Sequence, residues 1–232
     1  MNLFCNKNFA FTLAEVLITL GIIGVVSAIT LPTVVQNYQK QATVAKLKKA
    51  YTTINQAILL SIAENGDYAD WDKPTEIGDE KYFEKYWLPY LKGVTICSNK
   101  NLCGYGRSGT APSTFTQMNG TLGGSGVVHT LYITAIFGGR VSTLLPDGSF
   151  VIFFNSYNNK RQVSWILVDI NGGEKPNTYG KDVFLFDRNA KGAIVPSCQN
   201  LSADVINRDC SKTGSGDCCA QKIISEGWKM NY

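Results

Sequence analysis

One carboxylate stands out in this sequence because it lies inside a long apolar run. The run extends from Phe11 to Leu31, contains Glu15 as its one charged residue and is followed by Pro32. About twenty apolar residues form a helix of roughly 30 Å, which is the thickness of the hydrocarbon core of a bilayer. A carboxylate in hydrocarbon is costly unless it is paired, so Glu15 is predicted to be functional and to have a cationic partner.

Cysteine is the second residue type that could do chemistry. Of the seven cysteines, Cys5 precedes the apolar run, and the rest lie in the C-terminal two-thirds of the chain: Cys97, Cys103, Cys198, Cys210, Cys218 and Cys219. An even number in a domain carried across a membrane predicts disulfides, with the connectivity left open. Cys97 and Cys103 would close a small loop, whereas the adjacent Cys218 and Cys219 are predicted to bond to different partners. Zinc is disfavoured because the sequence has no C-x2-C pair.

Catalysis finds little support in the sequence. His129 is the one histidine and lies in a strand-like pattern, where a structural role is the better interpretation. No nucleophile elbow, phosphate-binding loop or metal-ligand helix is present. The net charge of +4 is mild, so no nucleic-acid partner is expected. The sequence therefore predicts a protein that is not an enzyme and has no assigned metal.

The elements that must position Glu15 begin with a long helix. After Pro32 an apolar stripe recurs at spacings of three and four, and it consists of Val44, Leu47, Tyr51, Ile54 and Ile58. Asn65-Gly66 is a stop signal. A helix from about residue 11 to 63 is predicted, with a first half that is apolar all round and an amphipathic second half that packs on a globular head.

The residues around Glu15 carry a family resemblance. Ala10-Phe11-Thr12-Leu13-Ala14-Glu15 followed by an apolar helix resembles the processing motif of type IV pilins and pseudopilins. The resemblance implies that prepilin peptidase cuts between Ala10 and Phe11 and methylates the new Phe11 amine. It also implies that Glu15 pairs with the Phe11 amine of a neighbouring subunit during assembly. Ala10 departs from the family, which usually has glycine at that position.

Two simpler interpretations and one topological signal compete with this resemblance. A secretory signal peptide has a shorter apolar run with its small residue after it, and a plain membrane anchor has no need of Glu15. Lysines from Lys40 onward would place the C-terminal side in the cytoplasm by the positive-inside rule. The cysteines and the processing motif indicate the reverse, and long domains translocate largely regardless of charge.

The remainder of the chain reads as an α+β head. Gly78–Leu91 is a helix-like segment whose aromatic residues fit a core face better than a sugar-binding platform. Cys97–Gly126 reads as a long surface loop. An antiparallel sheet of about four to five strands is predicted. The candidate strands are Val127–Phe137, Val141–Leu145, Ser149–Asn155, Val163–Ile170 and Asp182–Asp187, and a short C-terminal helix is expected over Asp217–Trp228.

The connection between the last two strands is rich in oxygen ligands. Asp169, Asn171 and Asp182 could hold calcium. The resemblance points the same way, because major pseudopilins have a calcium-binding loop in this general region of the chain. Aspartate, asparagine and glycine also make turns without any metal. The EF-hand pattern is absent, so calcium is not assigned.

Together these observations predict an α+β, pilin-like fold in which a long N-terminal helix packs on an antiparallel sheet head. The expected parts are a leader (1–10), a transmembrane and assembly half of the helix (11–31), an amphipathic half (32–65) and a disulfide-containing head (66–232). The predicted function is a structural subunit, minor rather than major, of a type IV pilus or a type II secretion pseudopilus. The alternatives are an adhesive or DNA-uptake pilin and, less favoured, a membrane-anchored enzyme.

The same interpretation predicts the partners and the location. The partners are other pilin or pseudopilin subunits, prepilin peptidase and the inner membrane. The chain is expected to pass once through the inner membrane, with its head in the periplasm or outside the cell, and to enter a filament.

Overall fold

The computed structural model describes residues 12–97, 103, 115–121, 140–158 and 161–232. The processing residues Ala10 and Phe11, the histidine His129 and the predicted strand Val127–Phe137 lie outside these ranges. The chain divides into two compact units, residues 1–41 and 42–232.

The N-terminal element is one continuous helix, α1, over Leu13–Asn65, and Pro32 lies within it. The helix ends where the sequence predicts, because Gly66 takes a left-handed φ of +81° and its N–H bonds back to the carbonyl of Ile62 at 3.0 Å. The division between the two compact units falls inside α1, since burial of its side chains begins at Val44.

Short helices follow α1 in the head: 3-10 turns at Tyr68–Asp70 and Leu88–Tyr90, and α-helices α2 (Pro74–Ile77) and α3 (Asp79–Tyr86). The predicted aromatic core face is confirmed, since Tyr82, Phe83, Tyr86 and Trp87 are all buried. The Phe83 and Trp87 rings lie 5.1 and 4.6 Å from the ring of Phe153 on the sheet. This packing fixes α3 against the sheet.

A six-stranded antiparallel sheet forms the centre of the head, with the strands in chain order from one edge to the other. Its strands are β1 (Thr95–Ile96), β2 (Arg140–Leu144), β3 (Phe150–Asn158), β4 (Arg161–Asp169), β5 (Val183–Arg188) and β6 (Ile194–Pro196). The predicted α+β class is therefore confirmed. The predicted number of four to five strands is too low, because the two edge strands are too short to show an alternating pattern.

One face of the sheet packs on the second half of α1. Leu47, Ile54 and Ile58 are fully buried there, in one cluster with Val151, Ile166, Val168, Phe184 and Phe186. The opposite face carries a smaller cluster that includes Phe115, Phe150, Leu167 and Tyr179. Two C-terminal helices, α4 (Ala203–Asp209) and α5 (Cys219–Ser225), complete the head.

Candidate functional site

Glu15 lies in the first turn of α1 and is held there by Thr12. The backbone N–H and the hydroxyl of Thr12 both donate to Glu15 Oε2, each at 2.8 Å. In return the backbone N–H of Glu15 donates to Thr12 Oγ1 at 3.2 Å. This reciprocal arrangement is a capping box, which satisfies N–H groups that the start of a helix leaves without partners. Glu15 thus has an intramolecular role that fixes the position of its carboxylate.

Thr12 is the residue of this site that the sequence interpretation missed. Its signal is the spacing Thr-x-x-Glu directly before an apolar run, which is typical of a helix N-terminus. The side chains that follow Glu15 are apolar and exposed, among them Leu17, Ile18 and Leu20. Within the described residues, α1 is the one helix that is long and apolar enough, by length and composition, to cross a membrane.

Three disulfides join the six cysteines that follow the apolar run. Cys97 bonds to Cys103, Cys198 to Cys218, and Cys210 to Cys219. Cys218 and Cys219 thus have different partners, and the first bond closes a small loop. The two C-terminal bonds connect the chain after β6 with the end of α4 and the start of α5.

The turn between α4 and α5 is organised by the carboxylate of Asp209. Its Oδ1 accepts the N–H of Cys218 at 2.7 Å, and its Oδ2 accepts the hydroxyl of Ser215. The carbonyl of Ser215 in turn accepts the N–H of Met118 at 3.1 Å. The same turn contains Asp217, whose pKa is raised to about 6 by burial first and then by the charge of Asp209, against an opposing hydrogen bond from Ser215.

The loop between β4 and β5 contains the three residues considered for calcium, Asp169, Asn171 and Asp182, and the two carboxylates have different hydrogen-bond partners. Asp169 is fully buried, and its Oδ1 accepts the N–H of Asn171 at 3.2 Å. The two carboxylate oxygens of Asp182 accept backbone N–H groups, from Thr178 at 2.6 Å and from Asn177 at 2.8 Å. Burial raises the pKa of Asp182, although these hydrogen bonds oppose the shift. Among the described residues, no group of three His, Cys, Asp or Glu is placed to hold a metal ion.

A half-buried arginine in the head, Arg188, was also missed from the sequence. The Arg188 guanidinium lies over three aromatic rings, with its centre 3.8 Å from Tyr68, 4.9 Å from Trp71 and 5.3 Å from Trp87. It also donates to the hydroxyl of Tyr82 at 2.7 Å. These cation–π contacts attach the segment after α1 to β5, which is a structural role. Local spacing carries no signal for it, because the partners are far apart along the chain.

Comparisons with known families agree with the geometry at the N-terminus. Residues 5–31 match the model of the prokaryotic N-terminal methylation motif. Residues 33–108 match the model of a family of unknown function, DUF6613. Searches of curated proteins and of solved structures gave no match to the chain. The chain therefore carries the N-terminal signature of the type IV pilin and pseudopilin family, and it joins that signature to a pilin-like α+β fold.

Proposed function

We propose that the protein is a minor structural subunit of a type IV pilus or a type II secretion pseudopilus. Prepilin peptidase cuts it between Ala10 and Phe11, and the mature chain assembles through α1. The observation that carries the proposal is Glu15, a carboxylate held in place at the start of an exposed apolar helix. A plain membrane anchor would gain only a helix cap from such a residue, at the cost of a charge near the hydrocarbon.

The capping box suits Glu15 to intersubunit pairing. The two hydrogen bonds from Thr12 end on Oε2, and a carboxylate has acceptor positions on both oxygens. The neighbouring subunit's Phe11 amine can therefore approach Oε1 while the cap is retained. Two opposite charges that meet in an apolar environment fix the register between neighbours, because either charge alone is unfavourable there.

The head supports a location outside the cytoplasm. Its three disulfides are stable in an oxidising compartment, such as the periplasm or the cell exterior. A unit that extends over residues 42–232 is large for a major pseudopilin, which favours a minor subunit. The head then provides subunit-specific contacts in the filament, and the inner membrane holds the chain before assembly.

Glu15→Leu tests the assembly role. We expect the variant to be cleaved before Phe11 and to remain in the membrane, because the apolar helix is intact or improved. Its recovery in sheared filaments should fall by at least about tenfold, since the neighbour's ammonium is left without its carboxylate. The measurement is fractionation of membranes and filaments in a strain that lacks the native copy, with mass spectrometry of the N-terminus of each fraction.

Two matched variants separate pairing from helix capping. Thr12→Val removes the capping hydroxyl and keeps the carboxylate, so it should assemble far better than Glu15→Leu. Glu15→Asp keeps the charge on a shorter side chain and should fall between Glu15→Leu and the native protein. Equal defects in Thr12→Val and Glu15→Leu would assign Glu15 to capping alone. The copy number per filament is measured as well, because a subunit at the tip has no neighbour above it.

A further inference from the structure

Several oxygen atoms cluster in the β4–β5 loop, and the family resemblance makes calcium the ion to test against them. Ca²⁺ takes six to eight oxygen ligands at about 2.3–2.6 Å, which places neighbouring ligand oxygens about 3 Å apart. Such a spacing occurs in the loop around the side chain of Asn177. Whether these residues fit calcium depends on which atom of the Asn177 amide, Oδ1 or Nδ2, faces the neighbouring oxygens.

Asn177 is 3% exposed, and one end of its side-chain amide faces three oxygens. These are the carbonyl of Glu174 at 2.8 Å, Asp169 Oδ2 at 3.1 Å and the carbonyl of Gly172 at 3.3 Å. All three are hydrogen-bond acceptors. The opposite end of the same amide faces hydrogen-bond donors only.

Two arrangements account for the oxygen group, and the second end of the amide decides between them. If Asn177 Oδ1 faced the three oxygens, a cation between these four oxygens would be needed to offset their repulsion. Asn177 Nδ2 would then face only hydrogen-bond donors on the other side of the amide. If Nδ2 faces the three oxygens, it donates to them, and Oδ1 accepts from the donors on the far side. Only the second arrangement satisfies both ends of a buried amide, and a buried polar atom without a partner is costly.

The carboxylates of the loop agree with this choice. Asp182 has backbone N–H donors on both of its oxygens, so it holds the turn at Asn177 and Thr178. That leaves Asp169 as the carboxylate in contact with the Asn177 amide. One negative charge and two carbonyls match an amide that donates hydrogen bonds better than they match a doubly charged ion.

We infer that Asn177 Nδ2 stands where a calcium site would have one of its ligand oxygens, and that it donates to the three oxygens around it, so that the β4–β5 loop is closed without metal. The oxygens of the loop are grouped as in a calcium site, and hydrogen bonds from a neutral amide, not a metal ion, hold them together. Asn177→Asp replaces this nitrogen with a charged oxygen at nearly constant shape. The substitution should convert the loop into one that requires calcium.

The test compares thermal unfolding of the full chain in detergent micelles, in millimolar calcium and in excess EDTA. Tryptophan fluorescence reports on the head alone, because Trp71, Trp87, Trp165 and Trp228 all lie in it. The native protein should give the same Tm in both buffers. Asn177→Asp should melt about 5 °C lower in EDTA, because oxygens then face each other, and calcium should restore most of the loss. Asn155→Asp is the matched control and should show no calcium effect, since the Ser164 hydroxyl can still donate to its side chain.

Two results would overturn the inference. One is a native Tm that rises with calcium and falls again with EDTA, which would show that the native loop holds the ion. The other is an Asn177→Asp variant as stable as the native protein in EDTA, which would show that the amide makes no such contribution. If Asn177→Asp does not fold, terbium luminescence with the native chain still decides. Sensitised emission that calcium displaces contradicts the inference, and its absence supports it.

Discussion

The two halves of α1 share one backbone conformation and have opposite surroundings. Leu17 and Ile18 in the first half are 61% and 62% exposed, whereas Leu47 and Ile58 in the second half are fully buried. The first half is apolar on all sides, and the second half has one apolar stripe and a polar face. Because both halves are helical, helical conformation alone does not show which half stabilises the head, whereas burial does.

The difference shows that each half depends on a different partner. Burial of apolar side chains against the sheet stabilises the second half within the chain itself. The exposed apolar side chains of the first half need lipid or the helices of neighbouring subunits. Substitutions in the two halves should thus be detected by different measurements, filament assembly for the first and unfolding of the head for the second.

The largest expected effect comes from the buried stripe. Leu47→Ala should lower the free energy of unfolding of the head by about 2–5 kcal/mol, because it removes a fully buried side chain and leaves a cavity. The measurement is denaturant unfolding in micelles followed by tryptophan fluorescence. Leu20→Ala, the same change at an exposed position of the first half, should leave this transition unmoved. A shift of similar size in both variants would remove the distinction between the halves.

A smaller effect is expected from the half-buried carboxylate Asp217. Its pKa in the folded head is about 6, above the value of about 3.9 that aspartate has in an unfolded chain. The folded state therefore binds more protons between these two pH values, and stability falls as the pH rises from about 4 to about 6. Asp217→Asn should flatten this part of the profile and raise stability at pH 7 by up to about 2 kcal/mol.

The control for Asp217 is the other carboxylate of interest, Glu15. It lies in the unit that does not contribute to the head core, so Glu15→Gln should leave the pH profile of head unfolding unchanged. Other carboxylates titrate in the same range, so the test is the native stability minus that of Asp217→Asn at each pH. A difference that rises between pH 4 and pH 6 would contradict the sign derived for Asp217.

The smallest effect is expected on the exposed side of the second half. Leu60 is 57% exposed, although Ile58 two residues before it and Ser61 directly after it are fully buried. Leu60→Gln should change the free energy of head unfolding by less than about 0.5 kcal/mol, because little packing is lost. A large decrease in the free energy of unfolding would show that residues of the second half stabilise the head whichever face of the helix they lie on.

Periodic patterns in the sequence predicted the long helix α1 and the longer strands, because these elements extend over several repeats of their pattern. The stripe through Leu47 and Ile54 predicted which face of α1 is buried, and alternation predicted β2 to β5. The edge strands β1 and β6 were missed because two or three residues are too few to show alternation. Their pairing depends on neighbouring strands and so on tertiary contacts.

The site was predicted in its residue types and less well in their contacts. Glu15 stood out because a charge in an apolar run is rare, and its bonds to Thr12 follow from a local spacing. The oxygen-rich loop was recognised, yet Asp182 was considered as a metal ligand when its oxygens hold backbone N–H groups. Composition counts potential ligands but does not show which of them the backbone already engages. Asn177 was not singled out for the same reason.

The pairing of the neighbouring cysteines makes two disulfides chemically dependent on each other. In chain order the bonds interleave, since Cys210 lies between Cys198 and Cys218, while its partner Cys219 lies just beyond. Loss of Cys210 alone leaves a thiol on Cys219 directly beside the Cys198–Cys218 bond. That thiol can attack the neighbouring bond and exchange partners with Cys218. The exchange forms a Cys198–Cys219 bond and releases the thiol of Cys218, so one lost cysteine removes one crosslink and exposes the other to rearrangement.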